Sequence, residues 1–154
     1  MLSAMKDIVT FLAMREQIRK FAEGLSQEEA LRIPPGFSNN IAWNIGHIVV
    51  THQVLCYKLS GLPMHVDDDA VARFIKGSSP AAWESAPDFG ALAAQLVPLA
   101  ERFVQDHEAG LFQDFKPYTT SAGVELTDVE IAFGYNLMHE GVHFGYARAQ
   151  SRIG

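Results

Sequence analysis

LTDVEIAFGYNLMHEGVHFGYARAQ, residues 126–150, decides how the rest of the chain is read. It opens on Thr127-Asp128-Val129-Glu130, the spacing of a capping box: a Thr127 hydroxyl and a Glu130 carboxylate each satisfy a free amide of the first turn. Leu126 and Ile131 stand where a hydrophobic staple needs them. The signal predicts a helix over about residues 128–150, with Val129, Ala132, Asn136, His139, His143 and Tyr146 on one inward-looking stripe.

Upstream, FKPYTTSAGVEL, residues 115–126, has β-type residues on both sides of Ser121-Ala122-Gly123 and predicts a short hairpin. Before it, Asp88 can cap a helix whose stripe runs through Phe89, Leu92, Leu96, Leu99 and Phe103, and Pro98 should kink that helix. Residues 61–87 carry Asp67-Asp68-Asp69 and Gly77-Ser78-Ser79-Pro80, with weak helical pieces only around 71–75, and read as a crossover connection. The acidic run reads as a solvated loop. A further helix begins after Pro34-Pro35-Gly36, capped by Ser38, Asn39 or Asn40, and runs to about Leu59. It is apolar on nearly every side and should be central. The first helix, over about 3–24, shows Met5, Ile8, Val9, Leu12, Ile18, Phe21, Ala22 and Leu25 at three-and-four spacing. Four helices with long links imply an all-α four-helix bundle with crossover connections and a short β-hairpin before the last helix.

At 154 residues the chain suits one domain, 1–154, and an apolar content of 48% rules out a disordered chain. With 18 acidic and 12 basic residues the net charge is −6, which gives no basic footprint for nucleic acid or an anionic membrane. No stretch is long and apolar enough to span a bilayer, and the charges at Lys6, Asp7, Arg15 and Glu16 break any signal-peptide pattern. One cysteine, Cys56, excludes an internal disulfide framework and fits a cytoplasmic location. Its place on a packed helical stripe argues against a nucleophile.

His139 and His143 are four apart, so both can reach one metal ion from one helix face. By themselves they read equally as core histidines satisfied by carbonyls or hydroxyls. His47, in AWNIGHIV, lies on the inner stripe of the second helix with Trp43, Val50 and Val54, and brings the imidazoles to three. Three imidazoles on two inner helices fit an open tris-histidine site with a coordination position left for water or substrate. His52 is roughly 140° around the helix from His47. Packing or surface roles are read for His52, His65 and His107.

HEGVH also matches the H-E-x-x-H signature of zinc peptidases letter for letter. No His, Asp or Glu follows His143 to complete such a site, and the strand signal precedes it, so peptide hydrolysis is disfavoured. Glu140 is read as either a base at the rim of the site or a salt-bridged residue.

NNIAWNIGHIVVTHQVL, residues 39–55, together with TTSAGVELTDVEIAFGYNLMHEGVHFGYARAQ, residues 119–150, resembles the DinB-like superfamily of metal-dependent proteins, also called DinB/YfiT-like. The resemblance covers essentially the whole chain. It implies an up-down-down-up bundle, a homodimer, and a divalent metal, nickel or zinc, held by His47 of the W-x-x-G-H motif and by the late pair His139 and His143. In the family a second histidine often follows the last ligand, where this chain has Phe144. The resemblance further implies a metal-dependent enzyme that uses a low-molecular-weight thiol as a transferase or isomerase. A metal-dependent hydrolase and a metal-binding stress protein without turnover stay open beside it.

Overall fold

The computed structural model describes residues 2–153, with side chains from residue 7 onward. Helix α1 (Leu2–Glu23) turns Phe11, Arg15, Ile18 and Ala22 inward, a stripe shifted from the expected one: Ile18 and Ala22 hold, Val9 is exposed, Phe11 and Arg15 take the inner positions, and the side chain of Met5 lies outside the described residues. The short α2 (Gln27–Leu31) starts in a capping box between Ser26 and Glu29 that the sequence reading passed over.

Helix α3 (Ile41–His52) is capped by Asn40, whose side chain accepts from the Trp43 amide. All of its residues but Thr51 are buried, as a helix apolar on every side requires. It continues into a π-helical turn, Gln53–Lys58, in which the Leu59 amide reaches back to the Val54 carbonyl. This wider turn puts Leu59 above Val54.

The connection after α3 is more ordered than expected. Asp67 caps a helix, α4 (Asp68–Phe74), by accepting from the Ala70 amide, and Asp69 pairs with Arg73 one turn on. The acidic run is thus a helix start, where its charge suits the dipole. Helices α5 (Phe89–Ala94) and α6 (Leu96–Glu108) replace one kinked helix, with Asp88 as the cap. The break at Gln95 follows from Pro98, which has no amide for the Ala94 carbonyl. The hairpin forms as β1 (Tyr118–Thr119) and β2 (Glu125–Leu126), with Tyr118 opposite Leu126 and Gly123 at φ 79° in the turn.

Helix α7 (Val129–Gln150) departs from its expected start by one residue. Asp128 is the cap and accepts from the Ile131 amide, while the Thr127 hydroxyl donates to Asp128. The staple is absent too, since Leu126 is fully buried and Ile131 is exposed.

The bundle is made by α1, α3 with its π turn, α5–α6, and α7. Helix α3 packs against α7 and α4, and α1 packs against α6. One core cluster gathers Ile18, Trp43, Ile45, Ile48, Phe89 and Leu96, and a second Phe11, Tyr57, Phe103 and Phe133. Among the described residues, no helix is long and apolar enough to cross a membrane.

Candidate metal centre

The residues buried deepest along α7 are Ala132, Asn136, Glu140, Ala147 and Gln150, whereas His139 and His143 are half-buried and Tyr146 is exposed. The helix is therefore rotated from the expected stripe, so that Glu140 faces the core and the two histidines flank it toward α3.

The cause is an ion pair. Arg15 of α1, itself fully buried, donates from Nε and one terminal nitrogen to the two oxygens of Glu140, at 2.9 and 2.7 Å, and from the other to the Leu96 carbonyl at 2.9 Å. Asn136 adds a fourth bond, to Glu140 at 2.8 Å. The Glu140 carboxylate is thus turned into the core, and the reading of it as a base at the rim gives way to the salt-bridged one.

His47, His139 and His143 come together. Their candidate ligand nitrogens all lie within 4.8 Å of one another, and Nε2 of His47 is 3.1 Å from Nε2 of His139. The rings pack at centroid distances of 4.4 to 4.9 Å.

Each outer nitrogen explains part of the arrangement. His47 Nδ1 lies 2.7 Å from the Phe74 carbonyl at the end of α4, and a carbonyl only accepts, so Nδ1 carries the proton and Nε2 keeps its lone pair. His143 Nδ1 lies 2.9 Å from Asn44 Oδ1. The Asn44 amide nitrogen donates to the Asn40 carbonyl, Asn39 and Gln150, which fixes Oδ1 as an acceptor and the His143 proton on Nδ1. Such outer partners orient metal-binding imidazoles and set their tautomer. His139 Nδ1 is buried with no hydrogen-bond partner among the described residues.

Gly46 explains the motif around His47. A Cβ there would stand 2.3 Å from the Phe74 ring, so only glycine lets α4 approach closely enough for its last carbonyl to meet His47. Trp43 stacks on the His47 ring at 4.5 Å and 13° and donates from its indole nitrogen to Ser78.

The three imidazoles are held neutral. Burial lowers the His47 pKa, with the Phe74 carbonyl opposing it. Burial followed by the neighbouring His143 and His47 brings His139 down to about 3, and burial followed by His47 brings His143 down to about 4. Neutral imidazole is the ligating form. Nitrogens around a tetrahedral divalent ion stand about 3.3 Å apart. The donor set fits such an ion: two nitrogens are near that separation, and the His47 and His143 tautomers leave both Nε2 lone pairs free.

His47 and His139 open onto a cavity of about 340 Å³. Its walls come from Thr51, Val54, Leu55 and Leu59 of α3 and its π turn, Ile75 and Lys76 after α4, Tyr135 of α7, and Tyr118, Thr120 and Ser121 of the hairpin. The sequence reading had no signal for the hairpin as a wall, since it carries no local pattern pointing to a partner across the bundle.

The other histidines stay apart. His52 is fully buried among Phe11, Tyr57 and Phe103, His65 approaches Asp106 at 3.4 Å, and His107 pairs with Glu130. Cys56 is a buried free thiol whose pKa burial pushes up, as for an inert core cysteine.

Bundle and histidine cluster together define a helical protein with a site able to hold a divalent metal. The family model of the DinB superfamily matches residues 10–147, and the chain belongs to that superfamily. No curated protein matches the chain.

Proposed function

We propose that the protein is a metal-dependent enzyme in which His47, His139 and His143 hold nickel or zinc, and that it transfers or rearranges a low-molecular-weight thiol adduct. The observation that carries this reading is the convergence of three neutral imidazoles on one point beside an apolar cavity. A divalent ion in such a site lowers the pKa of a coordinating thiol, which brings thiolate chemistry within reach near neutral pH. The chain's own share is orientation and an apolar surround: Phe74 and Asn44 hold two imidazoles in the ligating tautomer, and Val54, Leu55, Leu59 and Ile75 line the cavity beside them.

Two features weigh against peptide hydrolysis. Glu140, the acid of the H-E-x-x-H string, is taken up by Arg15 and Asn136, and each hairpin strand is only two residues long. Cys56 is not assigned to the chemistry. A lone reduced cysteine suits a cytoplasmic protein.

Elemental analysis of protein purified without a metal column, before and after incubation with nickel or zinc, tests the site; about one ion per chain is expected. Conjugation of a haloaromatic electrophile with glutathione, bacillithiol or mycothiol tests the reaction. It should require the metal, vanish in His143→Ala and persist in Cys56→Ser. Protein that takes up no metal overturns the site, and activity that survives chelation overturns the mechanism.

We further assign a homodimer, formed through the outer face of α7. Ile131, Met138, Val142 and Tyr146 are exposed there, and a Cβ on Gly134, Gly141 or Gly145 would meet nothing within 4 Å. These glycines serve no contact inside the bundle, so a second helix laid against them offsets their cost of up to about 1 kcal/mol each. Light scattering should show a dimer for the native chain and a monomer for Met138→Glu; a native monomer at micromolar concentration removes the assignment.

A further inference from the structure

The cavity beside the histidines has an uneven charge distribution. Its walls are apolar or carry hydroxyls beside the two neutral imidazoles, no carboxylate lines it, and Lys76 is its one charged side chain. The chain as a whole is acidic, and other cations near the core are engaged: Arg15 by Glu140, Arg73 by Asp69, Arg102 by Asp106. Lys76 has neither an ion pair nor a hydrogen bond among the described residues. Its backbone is placed from both sides. Two residues earlier the Phe74 carbonyl is bound to His47, and one residue later Gly77, at φ 89°, turns the chain away. The exposed Lys76 thus borders the same apolar cavity as the buried His47 and the half-buried His139.

We propose that this cavity takes a small organic acid, with its carboxylate against Lys76 and its apolar body along Val54, Leu59 and Ile75. This deepens the small-molecule reading of the same site and rests on it: the acid group stays at the wet rim while the other end of the molecule is presented to the histidines. Burying the body supplies affinity, and the charge supplies orientation and selectivity. Lysine suits this role as a point charge on a flexible stem that does not demand a two-pronged partner. A cationic ligand of the same shape would be disfavoured, and a neutral one would lose only the contact at the rim.

The test uses octanoate, octan-1-ol and octylammonium as probes, titrated into the full chain by calorimetry at low ionic strength, in both the chelator-stripped and the zinc-loaded protein. In the stripped protein octanoate should bind about fivefold more tightly than the alcohol, the size of one exposed ion pair, and the amine more weakly than either. The advantage should shrink with added salt. Lys76→Gln should abolish it, and Lys76→Glu should reverse the order of acid and amine. Equal binding of the three probes, no binding of any, or an octanoate preference that survives Lys76→Gln would each overturn the proposal. Zinc uptake, measured alongside, separates the two readings. Normal uptake without charge selectivity removes the acid site and leaves the metal, whereas charge selectivity that depends on Lys76 in a chain that takes up no zinc does the reverse.

Discussion

Two groups of buried polar side chains meet α7 within a single turn, and they are built in opposite ways. Around Glu140, both carboxylate oxygens are engaged: Arg15 donates to each of them and to the Leu96 carbonyl, Asn136 adds a further bond to one oxygen, and among the described residues only Asn136 Oδ1 of this group lacks a partner. Around His139, outer nitrogens are paired at His47 and His143, while the inner nitrogens point at one another. A carboxylate with both oxygens engaged by a buried cation has little left to offer a ligand and holds the helix in place. A cluster whose ring nitrogens converge on one point can take up something electron-poor. Neighbouring positions 139 and 140 therefore differ in role because of what each faces.

The largest expected effect comes from breaking the ion-paired side. Arg15→Met leaves the Glu140 carboxylate buried without a counter-ion and should cost about 3–5 kcal/mol in chemical denaturation. His139→Ala, by contrast, should change the stability of metal-free protein by less than about 1 kcal/mol while abolishing zinc uptake. If the two variants lost equal stability, the contrast would fail.

Smaller effects sharpen the open side. Asn44→Ala removes the acceptor that fixes His143 and should weaken zinc affinity about 10–100-fold in competition with a chelator, as outer partners of metal ligands do. Gly46→Ala drives a methyl into the Phe74 ring and should cost about 1–3 kcal/mol. It should also weaken zinc binding, because the Phe74 carbonyl moves with its ring. Unchanged zinc affinity in Gly46→Ala would show that the carbonyl does not orient His47.

The smallest effect concerns His52, which belongs to neither group. Burial, then the charge of Arg15, holds its pKa well below the usual imidazole range. The unfolded chain takes up a proton as pH falls through about 6.5 and the folded chain does not. Stability is therefore full above that pH and declines below it, by up to about 1.4 kcal/mol per pH unit for this one group. His52→Phe, which keeps an aromatic ring among Phe11, Tyr57 and Phe103, should flatten the decline between about pH 6.5 and 5 in the metal-free protein. A variant as acid-sensitive as the native chain would place the titration elsewhere.

Much of this was legible beforehand because local rules produced it. Asp88 caps its helix as expected, Asn40 is the cap among the three candidates Ser38, Asn39 and Asn40, the kink expected at Pro98 is a break between α5 and α6, and Gly123 closes the hairpin. The spacing of His139 and His143, with His47 on an inner stripe of another helix, pointed to the cluster before any coordinates. The start of α7 was missed by one residue because Thr127 and Asp128 are both good caps, and the choice between them rests on Leu126 being drawn fully into the core. The π turn at Gln53–Lys58 was missed as well, since its sequence satisfies a helical pattern in either register.

The sequence by itself determined the long helices of the bundle, the hairpin, their approximate ends and the three imidazoles, though not the short α2 and α4, since propensity, capping and periodicity act within a few residues. Only the tertiary structure decided the rotation of α7. Glu140 and His139 are adjacent polar residues, and which of them faces the core depends on Arg15, 125 positions away. It alone decided that the Phe74 carbonyl meets His47 and that Lys76 and the hairpin border the same cavity. Those contacts join segments with no shared local pattern. They exist because the bundle must bury its apolar faces and pair most of the polar groups it buries with them.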